Sequence, residues 1–352
     1  MEQPGASIRT VAALFVLGTG ALLSGCGTPS ADSAATYADV APTAFELDGP
    51  GTNVDDPCFW YDQANPASSL LFVTTKDSGL VEVFNASTGA FVTSIRGFGR
   101  PNNCAVEGDL LLTTDREPDA PGAVPGKIKV HSLPDLKLLR TFGEDTEEPH
   151  GIDVLTLPGG ERRVYVTDKP DASVHVYDLA SGDLIQVFST GFGDGIEPVL
   201  VDDQYRRIYV ARGEKEKRRG IGLFDVTGKL QREFGAEVFT KDVEGMAIYA
   251  CGDGGYLLAA DQHRQKAQFE IFDRVSLQHL GTFRIHDGDG EFSSATDGID
   301  VLQEPLPGFP SGLLAVCDGC GSNEPDEMDV VSWDVVASVM GLERCPGGQR
   351  AQ

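Results

Sequence analysis

Residues 174–188 read VHVYDLASGDLIQVF, and much of the chain repeats the pattern of this stretch. Apolar and polar residues alternate, a turn of Ser, Gly and Asp follows, and the alternation resumes, which is the pattern of an antiparallel hairpin. Similar stretches read VEVFNASTGAFVTSI from Val81, IKVHSLPDLKLLRTF from Ile128, IGLFDVTGKLQREF from Ile221 and FEIFDRVSLQHLGTF from Phe269. One ring recurs in them at spacings of 47, 46, 47 and 48 residues, at Phe84, His131, Tyr177, Phe224 and Phe272.

A second and more hydrophobic unit lies between the hairpins and occurs six times. The copies read PCFWYDQANPASSLLFVTTK, NNCAVEGDLLLTTD, HGIDVLTLPGGERRVYVTDK, EPVLVDDQYRRIYVAR, EGMAIYACGDGGYLLAADQ and DGIDVLQEPLPGFPSGLLAVCD. Their near-continuous Val, Ile and Leu content suits pairs of strands that are buried on both faces. Two inner strands and an outer hairpin at this period are typical of a four-stranded propeller blade.

Six inner pairs predict an all-β fold, a six-bladed β-propeller over residues 43–340. The sixth blade lacks a full outer hairpin and shows one clear strand over residues 330–336. The N-terminal segment around residues 44–47 can supply the missing edge, because pairing of the first and last segments closes the ring and removes exposed edges. A tandem pair of small β domains is the competing interpretation, but no boundary marks it. Residues 341–352 are assigned to a C-terminal tail.

The first residues indicate export. Arg9 precedes an apolar run over residues 11–23, which is too short for a comfortable membrane span, and the letters LSGC end at Cys26. This pattern resembles a bacterial lipobox, so we predict a signal peptide over residues 1–25, a lipid on Cys26 and a flexible tether over 26–42. An ordinary signal peptide is the alternative. The protein would be exported and lipid-anchored to the cell envelope, or extracellular.

The six other cysteines would then face an oxidising space, where disulfides form. Six cysteines allow fifteen pairings, and the sequence does not choose among them. Cys58 and Cys104 enter neighbouring first strands and are the pair we expect. Cys317 and Cys320 are either a redox or metal pair or, as we favour, a structural bridge.

The charge of the chain excludes one class of partner. Among 352 residues, 54 are acidic and 28 basic, which gives a formal net charge of −26. A field of this sign repels nucleic acid, so we expect no nucleic-acid partner. It attracts divalent cations, although an acidic surface can also serve solubility alone.

Propeller geometry sorts the charged residues. Strands of a blade run up and down alternately, so the start of each first strand and the end of each second strand meet at one face, which we call the mouth. The starts of the first strands hold Asp55, Asp56, Asn102, Asn103, Glu148, His150, Glu197, Asp242, Glu244 and Asp297. The ends of the second strands hold Lys76, Asp115, Arg116, Asp168, Lys169, Arg212, Asp261, Gln262 and Asp318.

These side chains predict a metal and phosphate site. Carboxylate and amide oxygens suit Ca²⁺, and lysine or arginine beside a bound metal suits phosphate oxygens. Loop Asp and Asn residues also serve turns and caps, which is the alternative for any one of them. Recurrence at one position of every blade favours the site. The loop over residues 286–291 lacks full EF-hand spacing and is either a further Ca²⁺ loop or a solvated turn.

Several short motifs of the chain match the motif strings of one known family in order. NVDDPCFW from Asn53 resembles DDPAxW, VTTKDSGLVEVF from Val73 resembles TTxKKSGLxVY, and residues 101–103 match an NN motif. DVEGMAIY from Asp242 resembles DIEGLTIY, and YLLAADQ and TDGIDVL follow in order. The chain therefore resembles the β-propeller phytase family, from about residue 45 to residue 336.

The resemblance implies a Ca²⁺-dependent phosphomonoesterase that hydrolyses phytate (inositol hexakisphosphate) or a related phosphoester with a metal-activated water. The implied catalytic residues are Lys76, Arg116, Lys169, Glu197 and Asp297. The implied metal ligands are Asp55, Asp56, Asn103, Glu197, Asp242, Glu244, Gln262, Asp297 and Asp318. We expect a monomer whose partners are a phosphorylated small molecule and, through the lipid alone, a membrane.

Departures from the family pattern support a second hypothesis. Asp77 follows Lys76 where the family has a second lysine, and Cys104 and Glu107 interrupt the family's NNVDxR string. Each lost cation predicts weaker phosphate binding, by about 1–3 kcal/mol per charged hydrogen bond. The alternative is therefore a non-catalytic propeller that binds a ligand or protein partner at the cell surface and keeps metals for stability.

Overall fold

The structure is a computed structural model, and it describes residues 38–40, 44–47, 49, 51–116, 125–193, 195–212, 219–286, 291–320 and 327–347. The predicted signal peptide, the lipid site Cys26 and residues 287–290 of the candidate Ca²⁺ loop lie outside the described residues. The described strands form six sheets, one for each blade, which confirms the six-bladed β-propeller.

Within each blade, the strands that follow one another in the sequence pair antiparallel. Two short strands precede the blades, β1 (Ala38–Val40) and β2 (Phe45–Leu47). Blades one to three contain β3 (Val54–Trp60), β4 (Leu70–Thr75), β5 (Leu80–Asn85), β6 (Phe91–Arg96), β7 (Arg100–Glu107), β8 (Leu110–Arg116), β9 (Lys127–Ser132), β10 (Leu138–Phe142), β11 (Pro149–Thr156), β12 (Arg162–Asp168), β13 (Ser173–Asp178) and β14 (Leu184–Ser189).

Blades four to six continue the pattern, and the last blade has three strands of its own. They contain β15 (Val199–Asp202), β16 (Arg207–Ala211), β17 (Ile221–Phe224), β18 (Leu230–Phe234), β19 (Val243–Cys251), β20 (Gly254–Asp261), β21 (Gln268–Asp273), β22 (His279–Ile285), β23 (Ile299–Leu302), β24 (Leu313–Asp318) and β25 (Glu327–Ser332).

The recurring ring occupies the equivalent position of each third strand. Phe84 lies opposite Leu71 on the second strand of its blade, and Phe224 lies opposite Ile208. The Phe and Tyr members are fully buried in the apolar layers between neighbouring blades. The period of about 47 residues is therefore the period of inter-blade packing, because burial of this ring requires the preceding blade.

The ring closes as the sequence predicts. Strand β2 pairs antiparallel with β25 and becomes the outer strand of blade six, with Phe45 opposite Val330 and Leu47 opposite Met328. Leu47, Met328 and Val330 are buried together in the core between blades six and one. Blade six therefore contains strands from both ends of the propeller.

The structure corrects part of the predicted tether, because it contains strand β1. Within residues 26–42, Ala38–Val40 pair in parallel with β22 and add a fifth strand to blade five. Val40 is fully buried in the core between blades five and six. These three residues thus belong to the propeller because an apolar side chain fills that core.

The predicted strand over residues 330–336 is also corrected. Strand β25 ends at Ser332, and helix α1 (Trp333–Met340) follows, because Trp333, Val336 and Ala337 recur at helical spacing and bury one face. Gly341 ends the helix in a left-handed conformation at φ 68°. No helix in the described part of the chain is long and apolar enough to span a membrane.

Three disulfides fasten the described chain. Cys58–Cys104 joins the first strands of blades one and two, as predicted, and Cys317–Cys320 is a bridge, also as favoured. The third, Cys251–Cys345, holds the segment after α1 against blade five. Residues 341–347 of the predicted tail are therefore packed on the propeller.

His131 replaces the aromatic ring of blade two and makes stability sensitive to acid. Burial, and then the charge of Lys129, lower the pKa of His131 from 6.5 to about 4. Between these values the unfolded chain binds a proton that the folded chain does not, so this contribution to stability is complete above pH 6.5 and is lost as the pH falls toward 4.

Replacement of His131 by phenylalanine, the residue of three other blades, tests its contribution to the pH dependence of stability. His131→Phe should reduce the loss of unfolding free energy between about pH 7.5 and about pH 4.5 by about 2 kcal/mol. Urea unfolding of both proteins at the two pH values measures the difference, and equal losses would contradict the assignment.

Candidate functional site

The mouth is built from irregular starts of the first strands. In four blades the pairing register shifts at this end of the first strand, between Val54 and Pro57 in blade one and at matching places in blades two, three and five. Such β-bulges free side chains from the regular alternation and re-aim them. The residues inside the bulges are the predicted ones, namely Asp55, Asp56, Asn102, Asn103, His150 and Glu244.

Threonines of the second strands hold these bulges against the next blade. Thr74 Oγ1 accepts a hydrogen bond from Asp56 N at 3.0 Å and donates to Asn102 O. Thr114 Oγ1 accepts one from Asn103 N at 2.9 Å and donates to His150 O at 2.8 Å. The mouth residues of blades one, two and three are thus linked through buried hydroxyl groups.

Lys76 lies between carboxylates of two blades. Its Nζ is 2.7 Å from Asp55 Oδ1 in blade one and 3.0 Å from Asp297 Oδ2 in blade six. Gln262 Nε2 donates to the other oxygen of Asp297 at 2.5 Å. Burial lowers the pKa of Lys76, but the two carboxylates outweigh it and the net shift is upward, so the ammonium stays charged. Burial raises the pKa of Asp297 to about 8, against the opposing charge of Lys76.

Glu197 and Glu244, from blades four and five, share a hydrogen bond. Burial and then the charge of Glu197 raise the pKa of Glu244 well above its usual range. Burial acts in the same direction on Glu197, but neighbouring His150 and the other partners outweigh it and hold its pKa well below the usual range. Lys169 Nζ of blade three donates to Glu197 Oε1.

His150 connects this pair to blade two. Its Nδ1 lies 3.7 Å from Glu197 Oε2 and 3.2 Å from Asn102 Nδ2. Its Nε2 lies 2.9 Å from Arg116 Nη1 and 3.2 Å from Glu148 Oε1. Arg116 Nη1 also pairs with Glu148 at 2.6 Å, and the hydrogen bond from His150 is the largest cause that lowers the pKa of Glu148 to about 2.

Asp56 and Asn103 face the central channel. A cavity of about 220 Å³ is lined by both residues and by Glu244. Asp56 Oδ2 accepts the backbone N–H of Cys104 at 2.9 Å, and Asn103 Oδ1 accepts Asn102 Nδ2 at 2.7 Å. Burial raises the pKa of Asp56 well above its usual range despite these bonds.

One network therefore joins ten of the predicted residues. The structure brings together Asp55, Asp56, Lys76, Asn103, Arg116, Lys169, Glu197, Glu244, Gln262 and Asp297. Asp242 lies at its edge, where it pairs with Arg219 and its carbonyl accepts Gln262 N at 2.9 Å.

Asp318 lies outside the ten-residue network. Its Oδ1 accepts the backbone N–H of Ser294 at 2.7 Å, in the loop that leads to the first strand of its blade. Asp115, Asp168 and Asp261 hold the corresponding loops of their blades in the same way. An aspartate at this position of a blade therefore has a structural role, and the assignment of Asp318 as a metal ligand stays a prediction.

The network also contains residues that the predicted catalytic and metal sets omit. His150, Glu148 and Asn102 stand at the starts of first strands, the same position that selects Asp55, so this signal was sufficient to find them. No periodic signal in the sequence points to Arg219. Arg212 instead pairs with Glu233 at 2.8 Å.

The oxygen donors of the network fit a divalent cation. Asp55 Oδ2 and Asn102 Oδ1 are buried and have no hydrogen-bond partner among the described residues. The raised pKa values of Asp56, Glu244 and Asp297 mark a place where negative charge is crowded and removed from water. A hard cation with several oxygen ligands relieves both conditions.

Removal of the central ammonium should destabilise the fold. Lys76→Met leaves Asp55 and Asp297 without their opposite charge, which predicts a loss of about 3 kcal/mol in unfolding free energy. The exposed pair of Lys137 and Asp135 is a matched control, because Lys137→Met should cost less than about 1 kcal/mol. Denaturant unfolding of both variants without added metal measures the two losses, and losses of equal size would contradict this prediction.

Comparison with known proteins agrees with the motifs. The family model described as Phytase matches residues 175–345, a range that contains Glu197, Asp242, Glu244, Gln262 and Asp297. The beta-propeller domain of Myceliophteria thermophila Cps50 (Swd1) is similar in structure, with a TM-score of 0.53 and 12% identity over 82% of this chain and 85% of that chain, a likeness of fold alone. The family match supports a phytase-like hydrolase at the level of the family, and the resemblance to β-propeller phytases that the motifs predict is confirmed over residues 175–345.

Proposed function

We propose that the chain is a Ca²⁺-dependent phosphomonoesterase that hydrolyses phytate or a related phosphoester. The observation that supports this proposal most is the alternation of cations and carboxylates around one mouth. Lys76, Arg116 and Lys169 come from three different blades, and each is paired with a carboxylate of the same network. Such side-chain cations bind phosphate oxygens, and such carboxylates ligate bound metal.

The donors named above would hold Ca²⁺, which supplies charge neutralisation and a bound water of lowered pKa. The chain's own cations have a separate task. Lys76, Arg116 and Lys169 would bind phosphate oxygens by charge-assisted hydrogen bonds and orient the ester. His150 lies between Arg116 and Glu197, so it fixes the position of one phosphate-binding and one acidic group at once.

The overall negative charge of the chain makes bound metal more important for phosphate binding. A chain with net charge −26 repels a polyanion such as phytate at long range. Binding is therefore favourable only where bound metal, together with side-chain cations, reverses the field, and the mouth is the described place where three such cations from different blades meet oxygen donors. Phosphate release should accordingly depend strongly on the metal.

Phosphate release from phytate tests the proposal. Protein with millimolar Ca²⁺ should release inorganic phosphate, and protein treated with chelator should not. Asp297→Asn should reduce kcat/KM at least about 100-fold, because Asp297 joins Lys76 and Gln262 at the centre of the network. Glu161→Gln is the matched control: this exposed carboxylate pairs with Arg163 at the opposite end of blade three and should leave the rate unchanged.

A second candidate is a non-catalytic propeller that binds a ligand and keeps metal for stability. The specific observation in its favour is that the mouth cations are already neutralised, and that Asp77 is paired with Arg100 where the family has a second lysine. If Ca²⁺ raises the melting temperature but no phosphate is released from phytate or from a panel of phosphomonoesters, the second candidate is supported and the first is wrong.

We also propose that the protein is exported, held to the cell envelope by a lipid on Cys26, and monomeric. The three disulfides support an oxidising location, and closure of the ring by its own strands supports a monomer.

A labelling experiment tests the anchor. Cells that express the full chain and are fed radiolabelled palmitate should yield labelled protein in the membrane fraction. Cys26→Ala should carry no label, whereas Cys251→Ala, which alters a disulfide cysteine, should keep it. Equal labelling of the protein with and without Cys26 would contradict lipidation there.

A further inference from the structure

A second cluster of metal-ligating side chains lies around the turn that joins β12 to β13. Asp168, Asp171 and His175 place one donor atom each within 4.8 Å of one another. His175 Nε2 is 3.7 Å from Asp168 Oδ2. Two ligands at about 2.1 Å from a tetrahedral zinc ion lie about 3.4 Å apart, so this separation is close to that of a bound pair.

An unsatisfied hydroxyl group points to a ligand at the same place. Ser173 is 3% exposed, and its Oγ has no hydrogen-bond partner among the described residues. Ser173 lies directly opposite Asp168 in the β12–β13 pairing, so the two side chains share one face of the sheet. His175, two residues further along β13, projects from that face as well. The hydroxyl therefore faces the cluster, where an ion would satisfy it.

The histidine is oriented for ligation. Its Nδ1 lies 3.4 Å from the hydroxyl of buried Tyr177, which leaves Nε2 toward Asp168. Metal-bound histidines commonly have such a partner on the second ring nitrogen. Asp171 is exposed and gives the cluster access to solvent.

Blade two shows what the same position does without a metal. There Lys129 stands where blade three has His175, and its Nζ is 2.6 Å from Asp115 Oδ2, the counterpart of Asp168. In blade two a side-chain cation therefore neutralises the loop-holding aspartate. In blade three an imidazole, a second carboxylate and a hydroxyl group without a hydrogen-bond partner among the described residues surround it instead.

We propose that Asp168, Asp171, Ser173 and His175 form a site for a divalent transition metal of the zinc type. An imidazole nitrogen together with two carboxylates favours Zn²⁺ or Co²⁺ over Ca²⁺, which prefers oxygen ligands alone. None of these four residues belongs to the ten-residue network of the mouth, and the site does not rest on the proposed phosphatase activity. Its place is the turn that carries Lys169, so an occupied site would hold that turn.

Metal titration of the full protein tests the site. The protein is stripped with chelator, saturated with Ca²⁺ to fill oxygen-only sites, and titrated with Co²⁺, whose visible absorption reports nitrogen ligation, and with Zn²⁺ in competition. The unaltered protein should bind one such ion. His175→Lys, which copies the ion pair of blade two and so preserves the fold, should weaken binding at least about 100-fold, and exposed Asp171→Asn should also weaken it at least about 10-fold.

Asp183→Asn is the matched control, because it makes the same change in an exposed turn at the other end of β13 and should leave metal affinity unaltered. Circular dichroism and melting temperature confirm that each variant is folded, and Asp171→Asn alone decides the matter if His175→Lys does not fold. Two results would overturn the proposal: absence of the Co²⁺ absorption up to about 1 mM metal, or equal affinities of the unaltered protein and both site variants.

Discussion

Pairing of β2 with β25 is the interaction on which the site depends. The mouth residues lie on separate blades, so they meet only in a closed ring. Lys76 in blade one reaches Asp297 in blade six across this closure. At the same junction a Cβ atom on Gly298 would lie 2.2 Å from Asp56 Oδ1, so blades six and one approach too closely for any side chain there. Strand pairing and one glycine thus set the distance between functional groups that are 221 residues apart in sequence.

Local irregularity then decides which side chains enter the mouth. A regular first strand would alternate its side chains between the two faces of the blade, whereas a bulge allows two successive residues to be used at the mouth. The buried threonines of the second strands support the bulges, because each hydroxyl bonds both its own blade and the next. Thr167 repeats this link from blade three to Glu197 O of blade four. The network is therefore supported by backbone contacts as well as by charge.

The sequence predicts the propeller well because hydrophobic alternation and a fixed period are local signals. The closing strand can be predicted from the same signals, because the sixth blade lacks an edge strand and the N-terminal segment can supply it. The Cys58–Cys104 bridge follows from the equivalence of first strands. The helix after Ser332 and strand β1 are different, because Trp333 and Val40 are placed by the cores they fill rather than by alternation along the chain.

Recurrence predicts the site less well, because it does not separate the members of the network from the groups that hold loops. Asp318 and Asp297 both stand at blade ends, yet one holds a loop and the other contacts Lys76. These contacts are a property of the folded chain, so the sequence does not show which of the two an aspartate makes. His150 shows the converse: its position marked it as a mouth residue, but its contacts with Arg116 and Glu197 appear only when three blades are assembled.

The mouth contains more carboxyl groups than side-chain cations. Six carboxyl groups meet three side-chain cations there, namely Asp55, Asp56, Glu148, Glu197, Glu244 and Asp297 against Lys76, Arg116 and Lys169. The raised pKa values of Glu244 and Asp297 accompany this excess of buried negative charge. Under the proposed function, carboxylates that ligate a cation would release the lysines they now hold. The lysines would then be available for phosphate. Metal dependence and phosphate affinity would be two consequences of one exchange of partners, which starts from the ion pairs seen around Lys76 and Lys169.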